Sequence, residues 1–120
     1  MQQKPRDLVQ RTFEFAQRVR RFVNRVPRTL ANIEDCKQLV RASGSVASNY
    51  LEAQEGLSRK DFFYRTKVCR KEARESGLWL RLIDAQGDAE LAAEGMELVK
   101  ETDELKRIFS SIAAKEEKEA

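Results

Sequence analysis

Apolar residues recur along the chain at alternating spacings of three and four, the period of a helix buried on one side. Leu8, Thr12, Phe15, Val19, Phe22 and Val26 form the first stripe, with Val9, Phe13, Ala16 and Val23 on the adjacent row. Pro5 suits a first helical turn and Pro27 cannot continue one, so a helix is predicted over about 6–26. A second is predicted over about 32–55, with Asn32 as N-cap, Asp35 three residues on, and Gly56 as the terminating glycine. Its stripe is Ile33, Cys36, Val40, Ser43, Ala47 and Tyr50. Ser58 is the expected N-cap of a third helix over about 59–86, carrying Phe62, Thr66, Cys69, Ala73, Ser76, Leu80 and Ile83. After a break at Gln86-Gly87-Asp88, a fourth over about 89–115 repeats Leu91, Gly95, Leu98, Thr102, Leu105, Phe109 and Ile112. The charged tail Lys115–Ala120 is expected to fray.

Long helices joined by short connections predict an all-α, up-down-up-down antiparallel four-helix bundle, with 1–120 as a single domain. Five Gly and two Pro in 120 residues leave too few turn formers for an all-β fold. The stripes are wider than one bundle needs. Phe13, Phe15 and Phe22 span two rows, Phe62, Phe63 and Tyr64 are consecutive, and Trp79 and Leu82 lie beside the main stripe of the third helix. A second apolar surface, for a partner or another copy of the chain, is the functional expectation; a broad core face with scattered exposed aromatics is the plainer one.

The net charge is only +3, but it alternates along the chain. Residues 1–30, 31–57, 58–87 and 88–120 carry +6, −2, +4 and −5. Two basic clusters follow: Arg18, Arg21 and Arg25 with Arg28 on one face of the first helix, and Lys67, Arg70, Lys71 and Arg74 on the third. Such clusters either pair with the acidic second and fourth helices or grip phosphates without reading sequence. RNA or DNA is therefore the expected ligand, and the alternative is a scaffold or accessory subunit for a nucleic-acid-processing partner protein.

Candidate catalytic chemistry is thin. The chain has no histidine, which removes the commonest general base and metal ligand. Glu72 and Glu75 lie beside the core stripe of the third helix, but a diiron pattern would need Glu-x-x-His twice. They are expected to pair with arginines or to accept hydrogen bonds from Ser45 or Asn49, a structural polar network. The run Ser43-Gly44-Ser45 has no base to activate a serine, and a mid-helix glycine points to close approach of another element. No enzyme, cofactor or metal is expected. Cys36 and Cys69 sit in helical patterns as reduced core thiols; with no signal-like or spanning apolar run, a cytoplasmic protein without membrane contact is expected.

The run Gln38-Leu-Val-Arg-Ala-Ser-Gly-Ser-Val-Ala-Ser-Asn49-Tyr-Leu-Glu-Ala53 resembles the second helix of the 23S rRNA-intervening-sequence protein family. Ser58-x-x-Asp61-Phe62, Lys71-Glu-Ala-x-Glu75 with Trp79-Leu80, Glu101-x-x-Glu104-Leu105 and Phe15-Ala16-x-x-Val19 are similar to its other motifs, so the resemblance covers nearly the whole chain. Ala42 stands where that family often has serine. The resemblance implies a small bacterial four-helix bundle. A relative is the accessory variability determinant of diversity-generating retroelements, a five-subunit barrel that binds nucleic acid through basic surface and engages a reverse transcriptase. By resemblance, a homopentamer is the expected assembly.

Overall fold

The computed structural model describes residues 7–119, which form α1 (Asp7–Val23), α2 (Leu30–Gln54), α3 (Arg59–Leu82) and α4 (Ala89–Glu119). No strand occurs among them. α1 packs against α2 and α4, and α3 against α2 and α4, with the sparsest contact between α1 and α4. Short connections reverse the chain between neighbours, which is the predicted bundle. The core follows the stripes read above on three helices: Phe15, Val19, Cys69, Leu91, Leu98, Leu105 and Phe109 are almost wholly buried. On α2 the buried row is Leu39, Val46 and Ala53 beside Ser43 and Tyr50, while Ile33, Cys36, Val40 and Ala47 of the predicted stripe are half-buried, so Cys36 is not the core thiol expected. Phe13, Tyr64, Leu78 and Leu82, on the surplus rows, are exposed, while Trp79 is half-buried against the core.

The helix ends differ from expectation for local reasons. α1 stops at Val23, not Val26. The residue before a proline is pushed out of helical geometry, and the Arg25 and Val26 N–H groups turn back to the carbonyls of Phe22 and Val23. Arg25 and Arg28 are thus in the connection, not on a helical face with Arg18 and Arg21. α2 starts earlier because Thr29, not Asn32, is its cap: the Thr29 hydroxyl accepts the Asn32 N–H at 3.1 Å. Asn32 is instead buried, and its side chain binds backbone groups in two connections. α3 ends at Leu82 rather than 86, since Asn32 takes both the N–H and the carbonyl of Asp84 that a further turn would use.

Ser58 and Asp88 cap α3 and α4 as expected, accepting the N–H groups of Asp61 and Leu91 at 2.9 and 3.0 Å. Gly56 has φ 67°, the left-handed conformation anticipated for it. α4 continues to Glu119, past the predicted 115, and Lys67 of α3 holds Glu116 at 2.6 Å. The predicted first helical residue, Arg6, and the tail residue Ala120 lie outside the described residues.

Candidate nucleic-acid interface

The charge alternation is resolved first along the α1–α4 seam. Arg11, Arg18 and Arg25, seven residues apart, face Glu101, Glu94 and Glu90 at 2.7, 3.5 and 3.6 Å. The antiparallel run of two helices explains the order: as one number rises the other falls. Arg11 makes a fork, with Nε and a terminal nitrogen donating to the two carboxylate oxygens at 2.7 and 2.9 Å. That hydrogen bond raises the Arg11 pKa further above its ordinary value, against the lowering effect of burial. Arg18 and Arg25 are therefore spoken for by α4, and Arg21 stands exposed near the end of α1 with no ion-pair partner among the described residues.

On a helix turning about 100° per residue, Val99, Asp103 and Lys106 of α4 lie on the flank opposite those glutamates. There α3 and α4 enclose a groove of about 1390 Å³. Lys67, Arg70, Lys71, Arg74 and Arg81 come from α3, and Lys106 and Arg107 from α4. Among the described residues, Glu75 and Asp103 are the only carboxylates lining it, and no aromatic side chain does. Its floor is close-packed: a Cβ on Gly77 would stand 2.9 Å from the Thr102 hydroxyl oxygen.

The cations are not equivalent. Lys67 is held by Glu116, Lys106 by Asp103 at 3.3 Å and Arg107 by Glu104 at 2.8 Å. Lys71 lies between Glu72 and Glu75, at 3.5 and 3.4 Å, and their charges raise its pKa, Glu72 most. Arg107 in turn holds the Glu104 carboxyl below its ordinary pKa. Arg70, Arg74 and Arg81 have no ion-pair partner among the described residues. The α3 cluster read from the sequence thus lines one groove, and the α1 cluster lies outside it. Arg81 extends the Lys67–Arg74 row by seven residues and was legible in principle. Lys106 and Arg107 were hidden inside a segment whose balance is −5.

The expected network of Ser45, Asn49, Glu72 and Glu75 is divided. Asn49 donates to the Ser45 hydroxyl at 2.9 Å and accepts from Arg65 at 3.1 Å, while Arg65 lies 3.6 Å from Asp61. Glu72 and Glu75 meet Lys71 instead. The register is the reason: the Cys69 thiol donates to the Val46 carbonyl at 3.5 Å, so Asn49 sits opposite Arg65, and Glu72 is almost two turns further along α3. Gly44 does mark a close approach, with the Arg20 guanidinium 3.2 Å from where its Cβ would be.

Among the described residues no cluster of acidic, cysteine or histidine side chains could hold a metal. No helix is long and apolar enough to cross a membrane. Cys36 and Cys69 are free thiols.

The family model described as 23S rRNA-intervening sequence protein matches residues 4–111. Among solved structures, the chain is similar to a protein of unknown function from the S23 ribosomal protein family of Bacteroides thetaiotaomicron VPI-5482. The TM-score is 0.72 at 24% identity, covering 88% of this chain and 97% of that one, a likeness of fold. No curated protein matches the chain.

Proposed function

The chain belongs to the 23S rRNA-intervening sequence protein family, and we propose that it is a non-enzymatic, self-associating bundle that grips RNA or DNA through the α3–α4 groove. The observation that carries this reading is seven cationic side chains converging on one groove against two carboxylates. Arg70, Arg74 and Arg81 have their charge available for phosphates, and Arg is suited to phosphate because its planar fork can donate twice. Lys67, Lys71, Lys106 and Arg107 would exchange their carboxylates for phosphate. With no aromatic side chain in the groove there is no platform on which to stack a base, so the grip is on backbone and indifferent to sequence.

Self-association, as the homopentamer implied by the resemblance to the retroelement accessory protein, would set several grooves on one particle and multiply the phosphate contacts. A cytoplasmic, bacterial setting accords with this reading. The test is binding of a labelled RNA hairpin by Arg74→Glu/Arg81→Glu beside Arg21→Glu. Loss of binding only in the groove variant supports the groove. Equal loss in both would show a diffuse electrostatic attraction. A protein partner is the second reading, favoured by the exposed Phe13, Leu51 and Met96; a pull-down that survives nuclease treatment would favour it.

A further inference from the structure

The basic groove does not end at Arg81. Arg81 and Val99 also line a second cavity, of about 380 Å³, that continues the seam towards the α3–α4 connection. Its lining is mostly apolar. The buried side chains of Phe22, Leu80 and Leu91 form the floor, and Ala92 and Met96 of α4 stand exposed at the rim. Phe22 comes from α1 and packs close against α4 because Gly95 has no side chain: a Cβ there would lie 3.3 Å from the ring. Small-ligand pockets have this size and character, roughly 300–1,000 Å³ and apolar with a few placed polar groups.

Two charged side chains supply the polar part, Arg81 where the cavities meet and Asp84 on the connection. Neither has an ion-pair partner among the described residues. Asn32 fixes the backbone N–H and carbonyl of Asp84, and the Asp84 Oδ1 accepts the Gln86 N–H at 2.8 Å. This wall is therefore built before any ligand arrives, with a carboxylate oxygen left to accept a hydrogen bond.

We infer that the crevice takes an unpaired nucleobase from the end of a strand whose phosphates lie on Arg81, Arg74 and Arg70. The ligand is then a nucleic-acid end with a single-stranded extension. The inference rests on the groove reading above and adds a place for a base, which the groove itself lacks. Arg70, Arg74 and Arg81 are four and seven residues apart, about 6 and 10 Å along α3, a row suited to a repeating polyanion rather than one small anion. The apolar crevice at the end of that row suits the flat face of a base, and Arg81 is placed to hold its phosphate or to stack on its plane. Bases inside a duplex are paired and stacked; one already unpaired enters without the cost of extrusion. Asp84 adds a preference for cytosine, whose N4 amino group donates where uracil carries the O4 acceptor.

Anisotropy tests it with a labelled RNA stem extended by two cytidines, by two uridines, or by two abasic residues that add the same phosphates without bases. The wild type should bind the cytidine extension about tenfold more tightly than the abasic one, with the uridine extension between them. Ala92→Trp, which fills the crevice from an exposed helical position, should bind all three alike. Asp84→Asn, which keeps an acceptor for the Gln86 N–H, should retain the preference for a base and lose the choice between cytidine and uridine. Each variant is checked for unchanged helicity. A 2-aminopurine in the extension should also be shielded from acrylamide quenching by the wild type and not by Ala92→Trp. No binding of any stem overturns the groove reading itself. Equal wild-type affinity for the cytidine and abasic stems leaves the groove standing and overturns the base site. A base preference and shielding that persist in Ala92→Trp overturn the choice of crevice.

Discussion

Asn32 holds Asp84 by both of its backbone polar groups: the amide donates to the Asp84 carbonyl at 2.8 Å and the side-chain oxygen accepts the Asp84 N–H at 3.0 Å. The same amide donates to the Pro27 carbonyl at 3.0 Å, so one buried side chain ties the α1–α2 connection to the α3–α4 connection. Buried amides left unpaired are costly. Asn32→Ala should destabilise the domain by about 2–4 kcal/mol, read as a lower midpoint in urea unfolding. A loss below about 0.5 kcal/mol would show that water serves these groups equally well.

Arg11 and Glu101 make the best-formed link on the sparse α1–α4 seam, and both side chains are mostly buried there. Arg11→Ala and Glu101→Ala should each cost about 1–2 kcal/mol, with a coupling near 1 kcal/mol in a double-mutant cycle. Arg25→Ala, whose partner Glu90 is almost fully exposed, should cost less than about 0.5 kcal/mol. Equal costs at the two sites would contradict the assignment.

Gly77→Ala tests the floor of the groove. Alanine favours a helix over glycine by about 1 kcal/mol, yet its Cβ would press on Thr102 at 2.9 Å. The clash should win, giving a net loss of about 1–2 kcal/mol that Thr102→Ala partly restores. A stabilised Gly77→Ala variant would mean that α3 and α4 lie further apart.

Burial pushes the Cys69 thiol up to about 12, from an ordinary value near 9. The unfolded chain therefore releases this proton above pH 9 while the folded chain keeps it, so stability falls as pH rises through that window. The slope from this group approaches about 1.4 kcal/mol per pH unit. Cys69→Ser has no such proton to lose; its stability relative to wild type should improve from about pH 8 to about pH 10.5. Burial also raises the Tyr50 pKa, but that contribution is common to both proteins and cancels. A constant difference would remove the thiol from the account.

The helices were legible because a buried stripe repeats at the helical period, and Ser58, Asp88 and Gly56 act locally as their residue types suggest. Asn32 was misread because an asparagine near a helix start has two uses, and only the fold brings Asp84 to it. The groove was half legible. Lys67, Arg70, Lys71 and Arg74 share a face of one helix, whereas Lys106 and Arg107 join them only once α4 packs alongside. Arg18 and Arg25 looked alike in sequence to the α3 cations; what separates them is place, because they meet the Glu90–Glu94 flank of α4, on the far side of that helix from the groove.

The most direct test of the groove is fluorescence anisotropy of a labelled duplex RNA across a salt series. With roughly four to seven phosphate contacts, the logarithm of affinity should fall against the logarithm of salt with a slope of about −4 to −6. Arg70→Glu/Arg74→Glu/Arg81→Glu should flatten that slope and weaken binding at every salt concentration. A wild type that binds no RNA at low salt, or a triple variant with an unchanged slope, would contradict the account.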